Sequence, residues 1–241
     1  MKNITIFTIC TGKYTIFFNS FYQTCEKFFL TEHNKTYYVF TDGDIGNHKN
    51  VVRVEQSKLG WPYDTMMRFK MFNTVEDKIN DTDYTFFFNA NMVFTDKIGD
   101  EVLPSDLNSN LVGVLHPYFW KSHKSQFTYE RRSESSFYMS PSDGESYFQG
   151  CFIGGSTKEF MKMSRELDEM INIDLSNNII PIWHDESAMN WYYSKRTPLK
   201  LLPSYACPEM LDNFTIDIKD LGIKAVQIDK NKLGGYNHLR S

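Results

Sequence analysis

Two short segments of this sequence have residue types and spacing suited to a phosphorylated or hydroxyl-rich ligand. In the first, the apolar run Phe86-Phe87-Phe88 leads straight into Asn89-Ala90-Asn91 and returns to Met92-Val93-Phe94. Paired carboxylates at such a strand end would hold a divalent cation against a diphosphate, because hard cations take charged oxygen ligands. Carboxamides carry no charge. Asn89 and Asn91 therefore imply a poorly held cation, or protein cations in its place; a strand-ending Asn turn is the plainer alternative. In the second segment, Pro181-Ile182-Trp183-His184-Asp185-Glu186-Ser187 opens a helix-compatible stretch that runs to Tyr193. The helix dipole favours negative charge at its start, and an aromatic beside the acids makes a wall for a sugar ring. An N-cap followed by a first-turn acid accounts for the same two acids without function. Consecutive His184, Asp185 and Glu186 point in different directions, which speaks against a local metal chelate.

The elements that must position these groups alternate. Residues 3 to 9 are β-rich, and Phe18, Tyr22, Cys25 and Phe29 recur at helical spacing. Tyr37 to Thr41 reads as a buried strand closed by Asp42-Gly43-Asp44, and a helix marked by Met66, Phe69, Phe72, Val75 and Ile79 follows Trp61-Pro62. Tyr84 to Phe88 is continuously apolar, as expected of a central strand covered on both faces. Such alternation predicts an α/β fold with a mostly parallel sheet and ligands at the carboxyl ends of its strands. Asp81-Thr82-Asp83 precedes the central strand, so it belongs at the opposite end, roughly 20 Å from the asparagines at ~3.3 Å per residue. From Lys121 to Ser146 a polar, serine-rich stretch reads as a substrate-facing excursion. The core resumes at Cys151, and Ser156-x-x-Glu159 is a capping box opening a helix that buries Phe160, Met163, Leu167 and Met170. The tail beyond Leu221 is the expected mobile terminus, and its Lys230, Lys232 and Arg240 are candidates to close over a diphosphate.

A chain of 241 residues suits one α/β domain, and a 41% hydrophobic composition with a net charge of −4 fits a globular protein with no basic field for nucleic acid. The apolar run at the N-terminus is short enough to read as a strand rather than a signal peptide. No stretch approaches the ~18 to 20 apolar residues of a membrane span. Cys10, Cys25, Cys151 and Cys207 lack C-x-x-C spacing, so reduced thiols and a cytoplasmic location are expected. The sequons at Asn3, Asn34 and Asn213 would matter only in a secreted chain.

Motifs spread over most of the chain carry a family resemblance. They are Tyr38-Val39-Phe40-Thr41-Asp42, Asn89-Ala90-Asn91-Met92, Leu115-His116-Pro117, Phe127-Thr128-Tyr129-Glu130-Arg131-Arg132, Gly154-Gly155-Ser156 and Trp183-His184-Asp185-Glu186-Ser187. In this order they resemble glycosyltransferase family six, which includes the blood-group A and B transferases, the α-1,3-galactosyltransferases and bacterial relatives. The resemblance implies a GT-A type fold, with a Rossmann-like, mostly parallel mixed sheet flanked by helices. It also implies a retaining α-1,3 transfer from a UDP-sugar to the 3-hydroxyl of a galactose. The mammalian members carry Asp-x-Asp and need manganese; Asn89 and Asn91 stand there instead, as in bacterial members regarded as metal-independent, so no cofactor is expected.

Residue roles follow from the same resemblance. Phe7, Thr8, Ile9 and Tyr14 match the uridine-holding segment, with Tyr14 stacking on the base, and Arg68 matches an arginine near the diphosphate and donor sugar. Asn89, Ala90 and Asn91 would contact ribose, sugar or phosphate oxygens, and Asp185 the donor-sugar hydroxyls. His116, Thr128 and Trp183 match acceptor-binding positions. Glu186 matches the acid beneath the reacting anomeric carbon, and also belongs to the acceptor side. Gln149, Gly150 and Cys151 occupy the stretch that tunes donor choice; the small Gly150-Cys151 pair leaves room for a C2 substituent and favours UDP-GalNAc over UDP-Gal. The implied acceptor is a 2-fucosylated, H-antigen-like galactoside such as 2′-fucosyllactose. Residues 1–241 are expected to form one domain, with about 1–95 binding the nucleotide sugar and about 96–241 holding the acceptor and the catalytic acid. A sugar-binding module without turnover and a glycoside hydrolase are the competing classes.

Overall fold

The computed structural model describes residues 1–210 and 216–241; the sequon at Asn213 lies outside the described residues. Asn3–Ile9 (β1), Asn34–Thr41 (β2), Val51–Glu55 (β3) and Tyr84–Phe88 (β4) pair in parallel, in the order β3-β2-β1-β4. Met92–Phe94 (β5) leaves this sheet, and Leu111–Leu115 (β6), Phe148–Ser156 (β7) and Leu199–Leu201 (β8) extend it to seven strands in the order β3-β2-β1-β4-β7-β6-β8. β7 runs antiparallel to both β4 and β6, while β8 is parallel to β6. One reversed strand thus sits among six that share a direction. Cys207–Pro208 (β9) and Ala225–Gln227 (β10) join β5 in a small sheet ordered β5-β10-β9.

Strand periodicity accounts for the double core. Side chains two apart share a face, so Ile4 and Ile6, Tyr37 and Val39, and Phe86 and Phe88 pack with Phe18, Phe21 and Cys25 of Phe18–Phe28 (α1). Tyr38, Phe40 and Phe87 point the other way. They meet Tyr63–Met66 (α2), Arg68–Asn73 (α3), Thr157–Ser176 (α4) and Asp185–Ser194 (α5), whose Met66, Phe72, Phe160 and Tyr192 fill the second cluster. Both faces being covered explains the uninterrupted apolar strands. The architecture is the α/β, mostly parallel mixed sheet flanked by helices that the sequence implies.

Two local expectations need correction or refinement. The single helix expected after Trp61-Pro62 is broken at Met67, whose φ of −86° and ψ of 12° separate α2 from α3, and a 3-10 turn covers Glu76–Lys78. The bend frees the Arg68 side chain, whose Nε donates to Thr65 O at 3.2 Å. α4 begins as expected, with Ser156 Oγ accepting from Glu159 N–H, but Met170 is only partly buried. Ile216–Lys219 (α6) and Gly235–Arg240 (α7) complete the helices that are described. Among the described residues no helix is long and apolar enough to cross a membrane.

Candidate active site

Because β7 is reversed, its first residues lie beside the last residues of its neighbours β4 and β6, at the same sheet edge as the end of β1. A cleft of about 650 Å³ opens at this shared edge, and Ile9, Tyr14, Arg68, Asn89, Ala90, Asn91, His116, Gln149, Gly150, Cys151, Trp183, Asp185, Glu186, Lys230 and Arg240 all line it. Residues spread through the whole chain therefore converge as expected. Asp83 lies at the other end of β4, where its carboxylate accepts from the Asn3 N–H at 2.8 Å.

The floor of the cleft is an electrostatic network. Arg68 Nη1 lies 2.9 Å from Asp185 Oδ2 and donates to Gly150 O at 2.6 Å, while its guanidinium stacks over the Phe87 ring at 4.3 Å. Glu186 Oε1 accepts from the Tyr147 hydroxyl at 3.0 Å and Oε2 from Gly150 N–H at 2.9 Å. Burial pushes Glu186 up to about 7, against the pull of these two donors, and the neighbouring Asp185 adds to the rise. Asp185 is raised to about 6, again by burial and in spite of Arg68. Helix α5 begins at Asp185, directly after His184, whose φ of +54° is a left-handed value that is uncommon outside glycine. That turn sets both acids into the cleft instead of along the surface.

The walls differ in character. Asn91 is nearly buried, with Nδ2 donating to Ile228 O at 3.0 Å and its own carbonyl accepting from Ile228 N–H at 2.9 Å. Its amide is thus tied to the segment that follows β10. Lys230 Nζ stands 5.2 Å over the Tyr14 ring and 4.8 Å over that of Tyr236, and burial lowers it to about 8. Arg240 stacks on Trp61 at 4.6 Å. On the opposite wall, burial lowers His116 to about 4, and its Nδ1 accepts from Tyr118 N–H at 3.3 Å, leaving Nε2 to carry the proton. Trp183 is 48% exposed, enough to offer a face to a sugar. Glu130 anchors the loop before it, accepting from Ile182 N–H at 2.8 Å.

Several expectations are corrected here. Phe7 and Thr8 do not reach the cleft. Phe7 is fully buried and stacks on Phe72 at 4.8 Å, because it lies two residues below the strand end that carries Ile9; Thr8 faces the other core, beside Cys10. Thr128 does not line the cleft either, but donates to the Tyr147 hydroxyl at 3.2 Å. None of residues 121–146 lines it; Phe127, Tyr129 and Met139 of this stretch pack with Tyr147 instead. Lys232 does not line the cleft and pairs with Glu209, which does, at 2.6 Å. The C-terminal tail lies along the rim, with Lys13 Nζ donating to His238 O at 3.0 Å and Lys58 Nζ to Arg240 O at 2.6 Å. The space above Gly150 is not open, since a Cβ there would come 2.8 Å from Asp185 Oδ2. Gln149 is locked as well, donating to Ala206 O at 3.1 Å and accepting from Gln227 at 3.1 Å.

Two residues that hold the site escaped the sequence reading. Tyr147 grips Glu186, and Asn190 Nδ2 donates to both Phe148 O and Glu186 O at 2.9 Å, tying β7 to α5. The available signal for Tyr147 was its spacing of two from Gln149 and four from Cys151, which puts the three on one side of an extended chain. For Asn190 it was a polar residue on an otherwise apolar helix stretch.

Comparison with known proteins agrees with this geometry. The model of glycosyltransferase family 6 matches residues 2–235. The chain is 37% identical over 240 residues to the O-antigen biosynthesis glycosyltransferase WbnI of Escherichia coli, covering 98% of this chain and 99% of that one. It is 33% identical over 234 residues to histo-blood group ABO system transferase 1 of Rattus norvegicus, covering 92% of this chain and 65% of the rat protein. It is 30% identical over 216 residues to globoside alpha-1,3-N-acetylgalactosaminyltransferase 1 of Homo sapiens, covering 84% of this chain and 59% of the human one. A match along almost the whole length places this chain in glycosyltransferase family 6, and three of the motifs that carry the resemblance, Asn89-Ala90-Asn91, His116-Pro117 and Trp183 to Glu186, line the cleft.

Proposed function

We propose that this protein is a retaining α-1,3-N-acetylgalactosaminyltransferase that moves GalNAc from UDP-GalNAc to the 3-hydroxyl of a galactose in a fucosylated, H-antigen-like acceptor, without a metal ion. UDP-galactose is the alternative donor. The observation that carries the reading is Glu186, a carboxylate held from both oxygens at the floor of a cleft rimmed by Lys230 and Arg240. Retention requires a carboxylate against the anomeric carbon, either as nucleophile or as partner to an ion-pair-like centre. As the bond from the sugar to UDP breaks, charge grows on the leaving phosphate, and the acceptor 3-hydroxyl oxygen forms the new bond on the same face while its proton passes to the leaving phosphate oxygen. Lys230, Arg240 and Arg68 are the cations available to meet that charge.

Donor chemistry at the end of β4 supports the metal-independent part. Two uncharged carboxamides stand there, and the nearby acids Asp185 and Glu186 are engaged with Arg68, Tyr147 and Gly150. Such a set does not fit a hard divalent cation. The name of the human relative supports GalNAc as donor. Four free, buried thiols are compatible with a cytoplasmic location.

The test is turnover of UDP-GalNAc and UDP-Gal on 2′-fucosyllactose and lactose, with Glu186→Gln alongside. Transfer to the fucosylated acceptor with retained configuration is expected, and Glu186→Gln should lower it by about a hundredfold or more. Release of sugar from an oligosaccharide without a nucleotide donor points to a hydrolase; binding without turnover points to a sugar-binding module.

A further inference from the structure

The polar stretch that misses the cleft surrounds one residue that touches its acid. Tyr147 is 1% exposed and is enclosed by Phe119 at 4.8 Å, Phe127 at 5.9 Å and a stacked Tyr129 at 5.2 Å. Tyr129 is pinned in turn, its hydroxyl donating to Ser146 O at 2.8 Å. Gly144 lies beneath it at φ +76°, where an added Cβ would come within 2.5 Å of the ring. Thr128 Oγ1 donates to the Tyr147 hydroxyl at 3.2 Å, so the tyrosine has one direction left for its own proton, toward Glu186 Oε1 at 3.0 Å.

We propose that Tyr147 is a positioning residue for transfer, whose hydroxyl, oriented by Thr128, holds the Glu186 carboxylate in its reacting orientation. This rests on Glu186 being the acid at the reaction centre. Burial, and then the Glu186 charge, push the Tyr147 phenol far above its ordinary value, so it stays a donor at every working pH. A donor aimed at a carboxylate favours its charged form. The other groups facing Glu186 are Asp185 on its own helix, Arg68 from α3 and Cys151 from β7.

Tyr147→Phe keeps the ring packing and removes only the donor. Turnover is expected to fall about ten- to a hundredfold, the scale of losing a hydrogen bond to a charged group, with UDP affinity and Tm nearly unchanged. The acidic limb of kcat/KM against pH should move to higher pH, because the charged form has lost a stabilising donor. Thr128→Val should shift kcat in the same direction by less and leave acceptor KM alone, and Thr128→Ser should restore it. An unmoved acidic limb in Tyr147→Phe overturns the proposal, as does a loss of turnover that merely tracks Tm; so does Thr128→Val acting only through acceptor KM. Failure of the underlying reading shows separately, as near-normal turnover in Glu186→Gln.

Discussion

Arg68 and Asp185 meet at 2.9 Å with each side chain only 5% exposed, so the pair stands almost out of water. Burial lowers Arg68 and raises Asp185, and each partner offsets part of the other's cost. Removing one partner strands the other. Asp185→Ala should therefore destabilise the protein by about 3–5 kcal/mol, read from urea unfolding. A loss below about 1 kcal/mol, the scale of an exposed pair, shows that the guanidinium finds water instead.

The acid and base groups of the cleft set the pH dependence. With Glu186 near 7 and Lys230 near 8, kcat/KM should rise with pH up to about 7 and fall again above about 8. Lys230→Arg keeps a cation at higher pH and should push the alkaline limb outward. Stability follows a separate sign. The folded-state value of Glu186 lies above its unfolded one, so the unfolded chain loses the proton first and stability falls as pH rises from about 4.5 to about 7. Urea midpoints across that window should drop less in Glu186→Gln than in the parent. Equal slopes in the two proteins count against a raised Glu186.

Transfer should survive excess EDTA and gain little from manganese. Loss on chelation, with recovery on manganese addition, refutes the metal-free reading. Asn89→Asp with Asn91→Asp should weaken UDP binding, since two charges would face a diphosphate unscreened and the Asn91 amide bond to Ile228 O would be lost. Isothermal titration with UDP checks this without relying on turnover; tighter UDP binding in the double variant with manganese present means that the site can be converted to a metal centre.

Gly150→Ala tests how tightly β7 and α5 are fitted. The added methyl would meet Asp185 Oδ2 at 2.8 Å and must push that carboxylate toward or away from Arg68. Overpacking of this kind costs about 1–3 kcal/mol, and donor KM should rise along with the loss of Tm. An unchanged Tm with altered choice between UDP-GalNAc and UDP-Gal would put Gly150 back among the residues that select the donor.

Local pattern alone determined much of this protein. Phe86 to Phe88 had to be a strand covered on both faces, Asn89 and Asn91 had to sit at its end, and Ser156 with Glu159 had to open a helix. Asp185 and Glu186 had to start another. Each is a matter of residues within one or two turns of one another, where periodicity and capping act directly. Tertiary structure decided what those ends face. The reversal of β7 depends on its pairing with β4 and β6, far away in the chain, and it alone brings Gln149 to Cys151 to the carboxyl edge. Phe7 and Ile9 share a parity, yet only Ile9 reaches the cleft, because depth beneath the strand end is set by how far Phe72 and Phe160 cover the sheet. Residues 121–146 look like a ligand loop by composition and become the housing of Tyr147, since the aromatic contacts that enclose it join segments whose proximity no local spacing encodes.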